Sequence, residues 1–169
     1  AFISGIPVWT VLVSISKNGF PILGVIYQPF TREFFVGGLG VSEYTRDDLT
    51  TTISVRQCGS LNSAFLSTTF PEIGTISERE AFKQVSEEVK LCRYGLDAYA
   101  YALLAMGSLD IVIEAGLKPY DIMAPIALIE AAGGIVTNWR GGPIIEGGQI
   151  LACGDKAIHE AALKMLSIK

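Results

Sequence analysis

The chain has 169 residues, half of them hydrophobic, with a positive mean hydropathy; that length supports one ordinary domain with its own core. Lys and Arg total 13 against 17 Asp and Glu, a formal charge of −4. No basic block or Arg-rich stripe occurs, so nucleic acid is not an expected partner. No apolar run approaches the roughly 18 residues that a membrane span needs.

The chain opens AFISGIPVW, with neither Met nor a polar lead-in. No charged region precedes its first apolar residues, as a signal peptide would require. The opening reads like the middle of a domain, and either a trimmed start or a missing upstream half accounts for it. From Pro7 to Gln28 two strands are expected. VWTVLVSIS is rich in β-branched residues, Lys17-Asn18-Gly19 supplies an Asn-Gly turn, and FPILGVIYQP returns. A third strand, about Glu33 to Val36, completes an antiparallel meander. Its weak alternation implies cover on both faces. Gly37, Gly38 and Gly40 lack dinucleotide-binding spacing and no GK[ST] follows, so a hairpin or turn is expected there.

Tyr44 to Thr52 is polar and Thr-rich and reads as a surface connection, with a short strand possible over Ile53 to Val55. Ser63 to Phe70 alternates and reads as a strand ended by Pro71. Ser77-Glu78-Arg79-Glu80 has a capping-box pattern and opens a helix to about Lys90. A short strand over Leu91 to Tyr94 follows, then a helix from about Asp97 to Met106 with Gly107 as its stop. Leu109 to Ala115 is a strand. Asp121 begins a helix that ends at Gly133-Gly134, with Pro125 in or just after its first turn. Two further strands, Gly134 to Trp139 and Gln149 to Cys153, precede a last helix capped by Asp155. The pattern is one unit over 1–169, an α/β layered fold with mixed sheets: mainly antiparallel over 1–70, alternating helices and strands over 71–169.

The stretch from Leu91 to Gly134 holds four polar residues at the joints of an otherwise apolar segment: Arg93, Asp97, Glu114 and Asp121. Asp121 at a helix start is either an N-cap or a carboxylate able to bind a hard cation. Glu114 closes a buried strand and is either a solvated strand end or a group aimed into a cleft. Arg93 suits a phosphate or carboxylate and Asp97 an amine or hydroxyl, unless the two simply pair with each other. Lys118 reads as a solvated loop lysine. The single histidine, His159, reads as a surface residue, and having only one argues against Ser/His/Asp chemistry and a His-rich zinc site. Cys58, Cys92 and Cys153 show no metal-binding spacing and read as reduced thiols of a cytoplasmic protein.

Glu114-x6-Asp121-x3-Pro125-x7-Gly133-Gly134 resembles the C-terminal signature of the inositol monophosphatase family, with Tyr120 where Trp is usual. EAGLKPYD and GLDAYAYALLAMG look most like its histidinol-phosphatase branch, and AFISGIP resembles the residues that follow the family's DP-[IL]-DGT motif. The resemblance implies a Mg²⁺-dependent phosphate monoester hydrolase of small metabolites, acting on histidinol phosphate in histidine biosynthesis. Asp121 would be a Mg²⁺ ligand; Arg93, Asp97 and Glu114 would line the substrate pocket. Gly95-Leu96-Asp97 departs from the G-[ST]-A of inositol enzymes, which favours an amino- or imidazole-bearing substrate. The family's other metal ligands would lie before Ala1. The resemblance therefore implies a C-terminal portion, inactive by itself, completed by an N-terminal half, a second chain or a homodimer. An inositol phosphatase of other or broad specificity and a non-catalytic assembly or binding module are the alternatives.

Overall fold

The computed structural model describes residues 1–167. Five strands form an antiparallel sheet in chain order: β1 (Val11–Lys17), β2 (Phe20–Gln28), β3 (Glu33–Gly38), β4 (Val41–Arg46) and β5 (Leu49–Thr52). The Asn18-Gly19 corner has φ values of 54° and 82°, the left-handed pair that a two-residue hairpin requires. A second, mixed sheet contains β6 (Phe65–Thr68), β7 (Leu91–Tyr94), β8 (Ile111–Leu117), β9 (Ile135–Thr137) and β10 (Gly148–Cys153), in the order β7-β6-β8-β10-β9. Helices α2 (Tyr99–Ala105) and α3 (Pro119–Ala131) pack into the core shared with the first sheet. Helices α1 (Ile76–Glu88) and α4 (Lys156–Leu166) build a second core with the mixed sheet. The layered α/β architecture with mixed sheets is therefore as expected. Among the described residues no helix is long and apolar enough to cross a membrane.

Several local expectations are corrected. Tyr44 to Thr52 is not a surface connection but most of a hairpin, with Tyr44 paired to Thr51 and Arg46 to Leu49. All of β5 is exposed, so no hydrophobic alternation marks it, and backbone pairing to β4 decides it. Ile53 to Val55 is not a strand; Ile53 and Val55 donate their N–H groups to Ser42 and Ala132 at 3.0 Å each. The capping box of α1 is set two residues earlier than the Ser77 pattern: Thr75 is the N-cap and pairs reciprocally with Glu78. The meander is not covered on both faces, because Val11, Val13 and Ile15 stand exposed on its edge strand. His159 is buried, only 7% exposed, and shares a 2.8 Å hydrogen bond with the Thr137 hydroxyl. Burial lowers its pKa, favouring the neutral ring.

Helix α3 rests directly on sheet backbone. Gly24 and Gly37 are cross-strand partners in β2 and β3. A Cβ at Gly24 would lie 2.2 Å from the Ala124 carbonyl oxygen, and one at Gly37 2.4 Å from the Leu128 Cα. Only glycine permits that approach, and it fixes where the middle of α3 sits.

Candidate active site

The strands β6, β7 and β8 run parallel, so their carboxyl ends lie on one side of the mixed sheet. In sheets of this kind ligands bind beyond those ends, where the chain leaves the sheet and side chains are free to converge. Here a cleft of about 450 Å³ opens there, lined by Thr69 after β6, Asp97 after β7, Glu114 of β8 and Asp121 of α3, together with Tyr101, Trp9 and Thr10. A larger hollow of about 570 Å³ lies at the other end of α3. Glu130 is its one ionisable lining residue, beside the hydroxyl residues Ser42, Thr52 and Ser54, so no cluster of ionisable groups forms there.

Each carboxylate is placed by a distinct local device. Asp97 is not helical. Its φ of 47° is left-handed, as is the 83° of Gly95, a conformation that Asp tolerates better than most side chains. Helix α2 therefore starts at Tyr99, two residues later than expected, and Ala98 rather than Asp97 occupies its N-cap position. The Gly95 N–H donates to the Thr68 carbonyl at 3.2 Å, which ties this loop to the end of β6. The start of α2 is also pinned to the first sheet. Glu33 accepts from the Tyr99 hydroxyl at 2.6 Å, the Tyr44 hydroxyl at 3.0 Å and the Thr31 hydroxyl at 2.6 Å. Burial pushes the Glu33 pKa up, but those donors outweigh it and hold it below its ordinary value.

Asp121 is the third residue of α3, not its cap. The helix begins at Pro119, where the absent N–H costs nothing because no intrahelical acceptor exists there. The Asp121 carboxylate accepts the Lys118 N–H at 2.8 Å and lies near the positive end of the helix. Pro125 is buried in mid-helix rather than in the first turn, and it cannot donate to the Asp121 carbonyl four residues earlier. Its cost is borne by the packing of α3 against both sheets.

Glu114 is 5% exposed, and its Oε1 accepts from the Thr69 N–H at 2.6 Å and the Thr69 hydroxyl at 2.7 Å. Burial raises its pKa, the negative charge of Asp97 adds to the rise, and the Thr69 donors oppose it. Tyr101, 2% exposed, has a hydroxyl with no hydrogen-bond partner among the described residues. Burial, then the charges of Glu114 and Asp121, push its pKa well above the ordinary value, so it stays a neutral donor. Of the expected site residues, Asp97, Glu114 and Asp121 share the cleft; Arg93 does not line it and is exposed on the edge strand β7. Thr69 and Tyr101 were not anticipated. The signals were present: Thr69 immediately follows a strand, and Tyr101 lies four residues after Asp97.

Among the described residues no group of three or more His, Cys, Asp or Glu side chains converges as a metal centre. Asp121 offers one hard carboxylate, whereas Mg²⁺ prefers a near-octahedral set of oxygens. The donor set is of the right chemistry but is not complete.

The sequence matches the model of the inositol monophosphatase family over residues 1–168. The chain belongs to that family. It is 39% identical over 175 residues to the bifunctional phosphatase IMPL2, chloroplastic, of Arabidopsis thaliana, covering 98% of this chain and 50% of that protein. It is 28% identical to the histidinol-phosphatase of Mycobacterium tuberculosis, covering 98% of this chain and 65% of that one. Among solved structures, an inositol monophosphatase from Zymomonas mobilis superposes with a TM-score of 0.92 at 32% identity, covering 99% of this chain and 66% of the other. The chain thus spans half to two thirds of the length of these relatives. The family's phosphatases share its layered fold, and in this member the acidic cleft lies at the strand ends.

Proposed function

We propose that this chain forms one wall of the active site of a phosphoric monoester hydrolase that depends on Mg²⁺ and acts on histidinol phosphate. The observation that carries the reading is the gathering of Asp97, Glu114 and Asp121 around one cleft whose lining includes no Lys, Arg or His side chain. Asp121, at the start of α3, is the carboxylate assigned to the metal. A bound Mg²⁺ would supply an activated water and charge stabilisation for the phosphoryl group. Asp97 and Glu114 then remain to face the alcohol part of the substrate. Two carboxylates without a cationic side chain between them suit an ammonium or imidazolium better than a neutral polyol. The relative named as histidinol-phosphatase supports this choice. The likeness to an inositol monophosphatase supports the alternative substrate, inositol 1-phosphate.

One carboxylate does not hold a catalytic Mg²⁺. The remaining ligands are therefore assigned to polypeptide outside these residues, either an N-terminal half or a second chain. The same segment would cover the exposed Val11, Val13 and Ile15 of β1. The test is phosphate release from histidinol phosphate and inositol 1-phosphate, with and without Mg²⁺, by the full native polypeptide and by the 169-residue chain. Mg²⁺-dependent turnover with preference for histidinol phosphate is expected from the former and none from the latter. Absence of phosphatase activity in the full polypeptide refutes the reading, and a preference for inositol 1-phosphate refutes the substrate. Loss of Mg²⁺ stimulation in Asp121→Asn is expected; unchanged Mg²⁺ dependence refutes the role of Asp121.

A further inference from the structure

Glu114 is a buried carboxylate with no cationic partner among the described residues. Its well-formed hydrogen bonds both come from Thr69, while the neighbouring Thr68 hydroxyl is near enough to lower its pKa but forms no bond of good geometry. In the parallel pairing of β6 with β8, Leu66 lies opposite Ile111 and Ser67 opposite Val112. Carrying that register two positions past the last pair brings Thr69 level with Glu114. There the Thr69 N–H and hydroxyl both reach Oε1, at 2.6 and 2.7 Å. Thr69 itself lines the cleft, so the bonded pair sits at its wall and not in a remote part of the core. No hydrogen bond from the described residues is formed to Oε2. One oxygen is fixed by two donors while the other keeps its acceptor capacity.

The geometry points to Thr69 as a positioning residue for substrate selection: its two hydrogen bonds hold Glu114 so that Oε2 receives a cationic group on the alcohol side of the phosphate monoester. This rests on the phosphatase reading above and adds the group that enforces its specificity. The physical basis is pre-organisation. An unrestrained glutamate samples several rotamers and must be ordered at each binding event, whereas one clamped through Oε1 has already lost that freedom. The clamp also favours the charged form, which the cationic group requires, against the effect of burial.

The test uses the full native polypeptide with Mg²⁺ and compares kcat/KM for histidinol phosphate with that for inositol 1-phosphate. Thr69→Val keeps the shape and the backbone N–H but deletes the hydroxyl. The preference for histidinol phosphate is expected to fall about tenfold, through KM, since hydrogen bonds to charged groups are worth at least that factor. Thr69→Ser is expected to restore it. In a double-mutant cycle, Thr69→Val is expected to change the preference little once Glu114→Gln is present, because the threonine acts through that carboxylate. An equal loss on both substrates, a preference that does not change, or additive effects in the cycle overturns the inference. A wild-type polypeptide that releases phosphate from neither substrate overturns the phosphatase reading itself, and the inference with it.

Discussion

Replacing Tyr101 by Phe tests whether the cleft carries an unsatisfied group in its own wall. The tyrosine is 2% exposed and its hydroxyl has no partner among the described residues. An unpaired buried hydroxyl costs about 1–3 kcal/mol relative to the same group in water. Phenylalanine removes the oxygen and leaves the ring in its packed position beside α3 and β8. Part of the gain is lost to the small void that remains, so the expected net stabilisation is about 1 kcal/mol. For a chain of this length that raises the melting temperature by about 2–4 °C. Urea unfolding followed by circular dichroism, with the slope unchanged, measures it directly. A loss of about 1 kcal/mol or more refutes the reasoning, because it would mean that the hydroxyl is bonded in the folded protein. The same variant is expected to bind the phosphate monoester more weakly, the exchange of stability for function that polar groups in binding sites commonly show.

Gly24→Ala drives a methyl group into the Ala124 carbonyl at 2.2 Å, against backbone that cannot rotate aside. Overpacking of this kind costs about 1–3 kcal/mol or more; a stability equal to wild type in urea would refute the close packing of α3. Asp110 is fully buried and accepts from Arg56 Nε at 2.9 Å and from the Phe65 N–H at 2.7 Å. Asp110→Ala strands both donors, and with Arg56 partly exposed the lower end of the buried-pair range applies, about 3 kcal/mol, read as a fall in melting temperature of about 6–12 °C. His159 has a folded-state pKa lowered by burial, so its proton binds more readily in the unfolded chain. Stability is therefore full above the ordinary value of 6.5 and declines as pH falls below it. His159→Gln is expected to flatten that decline; Glu114, whose pKa is raised, contributes a slope of opposite sign in both proteins. Identical pH profiles for the two proteins would show that His159 is not the group titrating.

The residues by themselves determined the local events. Asn18-Gly19 dictated a hairpin because few other pairs adopt two left-handed conformations without strain. Asp155 dictated the start of α4, where its side chain accepts the Ala157 N–H at 2.7 Å. The spacing from Glu114 through Gly133-Gly134 pointed to the family, and to the strand and helix that carry the acidic pair. Whatever depends on a partner distant in sequence was decided by the tertiary structure. β5 has no apolar face and exists because β4 offers it backbone groups. His159 is buried because β9 brings Thr137 against α4. Asp121 becomes the third residue of its helix because Pro119 can begin one, and the helix tolerates Pro125 because paired glycines let it settle on the first sheet. Thr69 and Glu114 lie 45 positions apart, and only the parallel register of β6 and β8 makes them one unit. A side chain's own chemistry is written in the sequence, but the cleft required the carboxyl ends of three strands to come together.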